Sequence, residues 1–201
     1  MNDETTAPAA KASGGAGTRQ RILDAANELF YEHGIRSTSA DRIIEQVGIT
    51  KVTFYRHFRT KSDLVVAYLE QQSAAEQAWL TSTVHDGDPL ATARTVAAGI
   101  GAASCSPGFR GCAFINAAAE YPDRDDPVRL AVDAHRGWLV DFFAAIADEV
   151  GARDVKSVAN QLMILRDGAM VNGYLGDAPA LAASLEAGFT SILGAAGDSG
   201  R

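Results

Sequence analysis

The chain has 201 residues, of which 47% are hydrophobic and 21% are charged, and its formal net charge is −7. Two cysteines exclude a disulfide framework, and an acidic N-terminus without a following apolar run argues against a secretory signal. The longest weakly polar run, residues 96–105, is too short and too rich in Gly and Ala to span a bilayer. We therefore expect a soluble cytoplasmic protein.

Charge is distributed unevenly along the chain. Residues 1–70 contain 9 Lys/Arg and 9 Asp/Glu, whereas residues 71–201 contain 9 Lys/Arg and 16 Asp/Glu. The second part therefore carries the whole net negative charge. Such asymmetry indicates two parts with different partners. For the acidic part, an equally open reading is a surface that only maintains solubility.

The first elements are a leader and two helices. Residues 1–17 are mostly Ala, Gly, Ser, Thr and Pro with little to bury, which predicts a disordered leader. Apolar residues recur at helical spacing from Thr18 until Gly34, which is typical of a helix end. Thr38-x-x-Asp41 then has the spacing of a capping box and predicts a second helix that Gly48 ends.

A basic segment follows at residues 50–61. It contains four Lys/Arg, one His and no acid, in a protein that is acidic overall. Thr50 is a predicted N-cap for a third helix, and Thr60-x-x-Asp63 predicts the start of a fourth at about 61–80. Two short helices joined by a tight Gly-containing turn indicate a helix-turn-helix unit, whose second helix enters the DNA major groove.

The rest of the chain is predicted to be helical as well. After a break at residues 86–89, helices are expected at about 89–104, 112–120, 127–150, 154–174 and 178–194, and no period-two pattern indicates a strand. The predicted fold is all-α. Its domains are a DNA-binding head at 18–65 and a helical domain at 66–196, followed by a tail at 197–201.

Residues 18–69 resemble the N-terminal domain of the TetR family of bacterial transcriptional regulators. The resemblance rests on Ile22-Leu23-Asp24-Ala25-Ala26, Val47-Gly48-Ile49-Thr50-Lys51, Phe54-Tyr55-Arg56-His57-Phe58 and Lys61-Ser62-Asp63-Leu64. It implies a ligand-responsive repressor that binds palindromic operator DNA. It also implies a homodimer formed through about residues 155–194, with a small-molecule cavity in the C-terminal core.

Candidate DNA-binding residues follow from position and from this resemblance. Hydroxyls at helix starts can hold a phosphate, and residues of the third helix can reach base edges or clamp the backbone. The candidates are Thr38, Thr50, Lys51, Thr53, Tyr55, Arg56, His57 and Lys61. Tyr55 and His57 could instead pack partly on the first helix.

Candidate pocket residues are polar or aromatic side chains that a helical core does not need. They are Trp79, Cys112, Phe114, Asn116, His135, Trp138, Arg166, Met170, Asn172 and Tyr174. We expect an apolar or amphipathic effector, with no cofactor and no metal, because no Cys/His cluster has zinc spacing. Arg166-Asp167 is an alternative ion pair at the dimer edge, and a Cys105–Cys112 redox switch also remains open.

Three other functions remain to be weighed. The protein could be an activator or a repressor that needs no ligand, which only binding with and without effector would separate. A helical enzyme using Cys112, Asn116 or His135 lacks a nucleophile–base pair at motif spacing and leaves the basic segment unexplained. A small-molecule carrier with an inactive head is disfavoured because Thr38, Lys51, Tyr55 and Lys61 are all present.

Overall fold

The computed structural model describes residues 11–176 and 178–198, and these residues form nine α-helices and no strand. The all-α prediction is thereby confirmed. The helices are α1 (Lys11–His33), α2 (Ala40–Val47), α3 (Lys51–His57), α4 (Lys61–Ser82), α5 (Pro89–Ser104), α6 (Ala113–Glu120), α7 (Pro127–Glu149), α8 (Val155–Leu175) and α9 (Ala178–Asp198).

The chain divides into two compact units, Met1–Tyr68 and Leu69–Arg201. The division falls within α4, a few residues after the predicted boundary at 65. Helix α4 therefore contributes residues to both units.

Helix α1 begins at Lys11, before the predicted start at Thr18. Once the later turns are fixed by buried residues, extending a helix backwards adds one hydrogen bond per residue at little cost, so weakly helical residues can join it. The predicted leader is thus wrong for residues 11–17. Its first ten residues lie outside the described part of the chain.

The core of the first unit is the predicted apolar face of α1 packed on α2. The ring of Phe30 meets Tyr68 edge-on, with 5.6 Å between ring centroids. Ten apolar side chains of the first three helices and the following turns are almost fully buried: Ile22, Leu23, Ala26, Leu29, Phe30, Ile43, Ile44, Val47, Phe54 and Phe58.

The turn between α2 and α3 depends on Gly48. Its φ of 71° lies in the left-handed region, and its N–H donates to the carbonyls of Ile44 and Glu45. The N–H of Ile49 also donates to Ile44 (3.2 Å), which completes a Schellman ending. Because of this tight ending, only residues 48–50 separate α2 from α3.

The N-termini of α3 and α4 have the predicted caps. Thr50 accepts a hydrogen bond from the N–H of Thr53 (3.2 Å). Thr60 and Asp63 exchange two bonds of 3.0 Å each, from the N–H of each residue to the side chain of the other. This reciprocal pair is a capping box, so the predicted start of α4 is confirmed.

In the second unit, α9 packs on α5 and α8, and α7 packs on α8. Small residues permit these close approaches. A Cβ on Gly101 would lie 2.3 Å from the Cβ of Ala182, and one on Gly188 would lie 2.8 Å from the Leu165 side chain. Ala182 and Gly188 of α9 therefore serve packing within one chain, which the sequence alone left undecided.

Candidate functional site

Helix α3 has one buried face and one exposed face. Phe54 and Phe58 are 0% and 3% exposed and anchor the helix in the first unit. The opposite face follows the spacing i, i+1, i+4, i+5 and contains no acid; its exposed residues are Lys51, Val52, Tyr55 and Arg56. A protein with a net charge of −7 thus places cationic side chains on the surface of one short helix.

Of the three polar side chains on this face, two are available to a ligand and the third has a partner. Within the described residues, the guanidinium of Arg56 has no hydrogen-bond or ion-pair partner. Tyr55 is 47% exposed, although its ring also contacts Phe54 edge-on. The Nζ of Lys51 lies 2.9 Å from the Asp41 carboxylate, which raises the pKa of Lys51 through a hydrogen bond and through its charge.

The surroundings of Thr38 do not favour the predicted phosphate contact. Thr38 is 0% exposed, and its hydroxyl lies within hydrogen-bond distance of the carbonyls of Leu29 and Gly34. Its N–H is bonded to Ile35. The N-cap of α2 is the next residue, Ser39, which accepts from the N–H of Arg42 (3.2 Å). Thr38 therefore holds the turn after α1, and Ser39 occupies the exposed helix start.

The remaining predicted DNA-contact residues differ in burial and in hydrogen bonding. The hydroxyls of Thr50 and Thr53 lie 3.0 Å apart at the start of α3. The Nε2 of His57 is buried and has no hydrogen-bond partner in the described chain. The Nζ of Lys61 donates to the carbonyl of Ile35 (2.6 Å), so this ammonium already stabilises the turn after α1.

Sequence reasoning missed Val52 as a site residue. It is 79% exposed on α3, between the exposed Lys51 and the half-buried Thr53. An apolar side chain so exposed on this face can contact the methyl group of thymine. Its exposure was predictable only with the register of α3 in hand, since valine is among the residue types most often buried.

The second unit contains a charged network that is largely buried. Glu76 on α4 contacts the guanidinium of Arg166 on α8 (2.6 Å) and the Nε2 of His135 on α7 (3.2 Å). The contact between His135 Nε2 and the Glu76 carboxylate is close, but it lacks hydrogen-bond alignment. Arg166 also donates to the Sγ of Cys112 (3.3 Å) and to Asp167 (3.2 Å).

The pKa shifts of this network show which groups are charged. Burial would raise the pKa of Glu76, but His135 and Arg166 outweigh it and hold that pKa below its ordinary value. Burial would likewise lower the pKa of Arg166, but Cys112 and Glu76 raise it above its ordinary value. Arg166 and Glu76 therefore form a charged pair. The Arg166–Asp167 ion pair weighed as an alternative is also present (3.2 Å), and the Arg166 side chain in it is 4% exposed.

An open groove of about 570 Å³ lies between α6, α7 and α8. Its apolar walls are Phe114, Ile115, Ala118, Val132 and Val171. Its polar lining is Arg129, Arg136, Asp167 and Asn172, beside Gly168. The ring of Phe114 stacks on the His135 ring with 3.6 Å between ring centroids, so one face of the Phe114 ring packs against the buried network.

Only Phe114 and Asn172 of the ten predicted pocket residues line this groove. Arg166, His135 and Cys112 lie in the buried network, and Met170 is 8% exposed. The other predicted residues have partners elsewhere. Trp79 packs on Gly99, Asn116 bonds the carbonyl of Arg110, Trp138 stacks on Phe142, and Tyr174 is half-exposed beneath the Arg110 guanidinium.

The two cysteines differ in environment. Cys105 is exposed and Cys112 is buried, and both thiols are free. Across residues 11–176 and 178–198, no group of three or more His, Cys, Asp or Glu side chains could hold a metal ion.

Comparison with known proteins places this arrangement in a family. The sequence model described as "Bacterial regulatory proteins, tetR family" matches residues 22–68. The HTH-type transcriptional regulator AcrR of Shigella flexneri is 37% identical over 81 residues, which cover 39% of this chain and 38% of that protein. The chain therefore matches little more than a third of that curated relative's length.

Solved structures extend the likeness to both units. SCO4454, a TetR-family transcriptional regulator from Streptomyces coelicolor, is 38% identical with a TM-score of 0.86, covering 90% of this chain and 97% of that one. A TetR-type regulator from Streptomyces avermitilis is 26% identical with a TM-score of 0.76, covering 89% and 97%. With its helix-turn-helix geometry and this likeness over nearly the full length, the chain belongs to the TetR family of DNA-binding transcriptional regulators.

Proposed function

We propose that the protein is a homodimeric repressor that a small-molecule effector releases from a palindromic operator. The observation that carries DNA recognition is the acid-free exposed face of α3, in a chain that is otherwise acidic. Phosphate contacts from Arg56, Lys51, Thr50 and Tyr55 would supply most of the affinity, and Thr53 and Val52 would read base edges. We expect the protein to work in the cytoplasm.

Selection from a pool of fragments of its own genome tests this function. A protein with two symmetric heads should protect two half-sites in a footprint, with their centres separated by about one helical turn of DNA or a multiple of it. Recovery of fragments without a shared inverted repeat would argue against a dimeric operator-binding protein.

The dimer is supported by apolar residues left exposed on α8. Ile164 and Leu175 are 69% and 73% exposed. Because they are about three helical turns apart, they lie on one helix face. Helix α9 adds a long apolar stretch, Ala180–Gly197, of which 17% is buried within the chain. By length and composition this stretch could cross a membrane, but its packing on α5 and α8 favours a four-helix interface between two copies.

Ile164→Glu tests this interface. A buried glutamate without a partner is costly, so we expect the dimer to dissociate in sedimentation velocity. Operator affinity should fall by about a hundredfold or more, because the two heads would no longer bind as one unit. Val84→Glu, which replaces another exposed apolar residue in the loop after α4, should change neither property. Dimeric Ile164→Glu protein would show that α8 is not the interface.

A further inference from the structure

We propose that the groove between α6, α7 and α8 binds an organic carboxylate with an apolar tail, and that Arg136 recognises the carboxylate. This inference deepens the proposed function, and it rests on that function only for operator release. A volume of about 570 Å³ lies within the usual range for small-molecule sites, roughly 300–1,000 Å³. The apolar walls suit a hydrocarbon tail, and the arginines define where its head group would lie.

The lining of the groove has a local positive charge in an acidic unit. Two guanidiniums and one carboxylate line it, whereas residues 71–201 contain 9 Lys/Arg against 16 Asp/Glu. Arg129 is paired with Asp133 (3.1 Å) and Arg136 with Asp167 (2.7 Å). An apolar helix from a second copy would remove these ion pairs from water without adding a polar partner, so the groove is better suited to a small anion than to a protein surface.

Asp167 has two arginine partners, so Arg136 can exchange Asp167 for a ligand carboxylate. Asp167 accepts from Arg136 (2.7 Å) through one oxygen and from Arg166 (3.2 Å) through the other. A ligand carboxylate that takes Arg136 would leave Asp167 paired with Arg166, and Arg166 remains paired with Glu76 (2.6 Å). The exchange therefore leaves no buried charge unpaired. An unpaired buried charge would be strongly destabilising.

A cationic ligand would meet the opposite situation. It would have to compete with Arg136 and Arg166 for the single carboxylate of Asp167, and it would place positive charge beside both guanidiniums. A neutral alcohol could bind the apolar walls and accept a hydrogen bond from Arg136, but it could not form the bidentate ion pair that a carboxylate forms with a guanidinium. The groove should accordingly rank a carboxylate above an alcohol and an alcohol above an ammonium of equal tail length.

The same contacts suggest how binding would be signalled. Asp167 and Arg166 are adjacent on α8, and Arg166 bonds Glu76 on α4, a helix whose first residues belong to the DNA-binding unit. Replacement of Asp167 by a ligand as the partner of Arg136 would free Asp167 to approach Arg166 more closely. A ligand acts on DNA binding only if this rearrangement differs in free energy between the two operator-binding states.

The test uses the full chain and three probes of equal tail length: decanoate, decan-1-ol and decyltrimethylammonium. Calorimetry without DNA should show decanoate binding about tenfold or more tighter than either other probe, since only a carboxylate can form a bidentate ion pair with Arg136. Arg136→Gln should weaken decanoate by about the same factor without altering decanol binding or the Tm. Arg94→Gln, which removes an exposed arginine on α5 outside the groove, should leave all three probes unchanged.

Absence of saturable decanoate binding, equal binding of the three probes, or an Arg136→Gln variant that binds decanoate normally would each overturn the inference. Operator release is measured separately, by adding decanoate to the protein–DNA complex. Arg136-dependent binding without release would uphold the carboxylate site and contradict the effector part of the proposed function. If decanoate does not bind in calorimetry and leaves operator binding intact, the result contradicts the carboxylate site but not the proposed function.

Discussion

Glu76→Ala should strongly destabilise the second unit. The change removes the carboxylate that pairs with Arg166 and His135, whose side chains are 4% and 1% exposed. Breaking a buried ion pair from one side costs about 3–5 kcal/mol, because the remaining charge stays buried. For a protein of this size, the Tm should fall by roughly 6–20 °C.

The matched control is Glu70→Ala, which removes an exposed carboxylate from the same helix. We expect it to change stability by about 0.5 kcal/mol or less. Both variants are compared with the unmodified protein by thermal unfolding at one protein concentration, because the Tm of a dimer depends on concentration. A Glu76→Ala protein as stable as Glu70→Ala would show that the network contributes little.

The depressed pKa of Glu76 also sets the sign of a pH effect. A carboxylate whose pKa is lower in the folded state contributes stability above its unfolded value, near 4.5, and loses it as pH falls through the folded value. Below about pH 4.5, the unmodified protein should therefore lose stability faster than Glu76→Gln, which has no carboxylate to protonate. Parallel pH profiles would contradict the charged pair.

Replacing Lys51 and Arg56 together by alanine should remove most operator affinity. Both side chains are exposed, so the fold and the Tm should be unaffected. A dimer would lose four cations, and each phosphate contact contributes about 0.9 to the salt slope, so the slope should fall by up to about 3.6. At physiological salt this corresponds to a loss of about two to three orders of magnitude in affinity.

The control for this variant is Arg153→Ala with Lys156→Ala, which removes the same number of exposed cations from the second unit. It should leave the salt slope and the affinity close to those of the unmodified protein. Equal weakening by both double variants would mean that overall charge, and not the face of α3, governs binding.

Asp41→Asn should act in the opposite direction. The carboxylate of Asp41 lies 2.9 Å from the Nζ of Lys51, so it partly neutralises a cation that would otherwise face phosphate. Its removal should tighten operator binding by about threefold to tenfold and steepen the salt dependence. Because Asp41 is in the first turn of α2, the variant should also lose about 0.3–1 kcal/mol of stability. Weaker binding would show that the pair positions Lys51 for contact.

Helix bounds were predictable because local signals mark them. Gly48, Thr60 with Asp63, and the prolines at 89 and 127 each fix one helix end through backbone chemistry that depends on neighbouring residues only. The start of the first helix has no such signal, because residues 11–17 show no large apolar residues at helical spacing. The position of that start follows from the rest of α1.

Side-chain roles were harder to predict where neighbours are distant in sequence. Residues 37–39 are three consecutive hydroxyl residues, and sequence does not say which of them caps α2; burial assigns Thr38 to the core and Ser39 to the cap. Arg166 and His135 were expected in a pocket because they are polar residues in an apolar context. Their partner Glu76 is 90 residues away from Arg166, so only the fold shows that they satisfy each other.

The most direct test of the central claim is fluorescence anisotropy of the full chain on the DNA flanking its own gene, across a salt series. We predict tight, sequence-selective binding, with an affinity that falls steeply as salt rises and with the steepness lost in the Lys51→Ala, Arg56→Ala variant. Equal binding to flanking and scrambled DNA, with the same salt dependence in both proteins, would contradict the assignment of α3 as the helix that reads an operator.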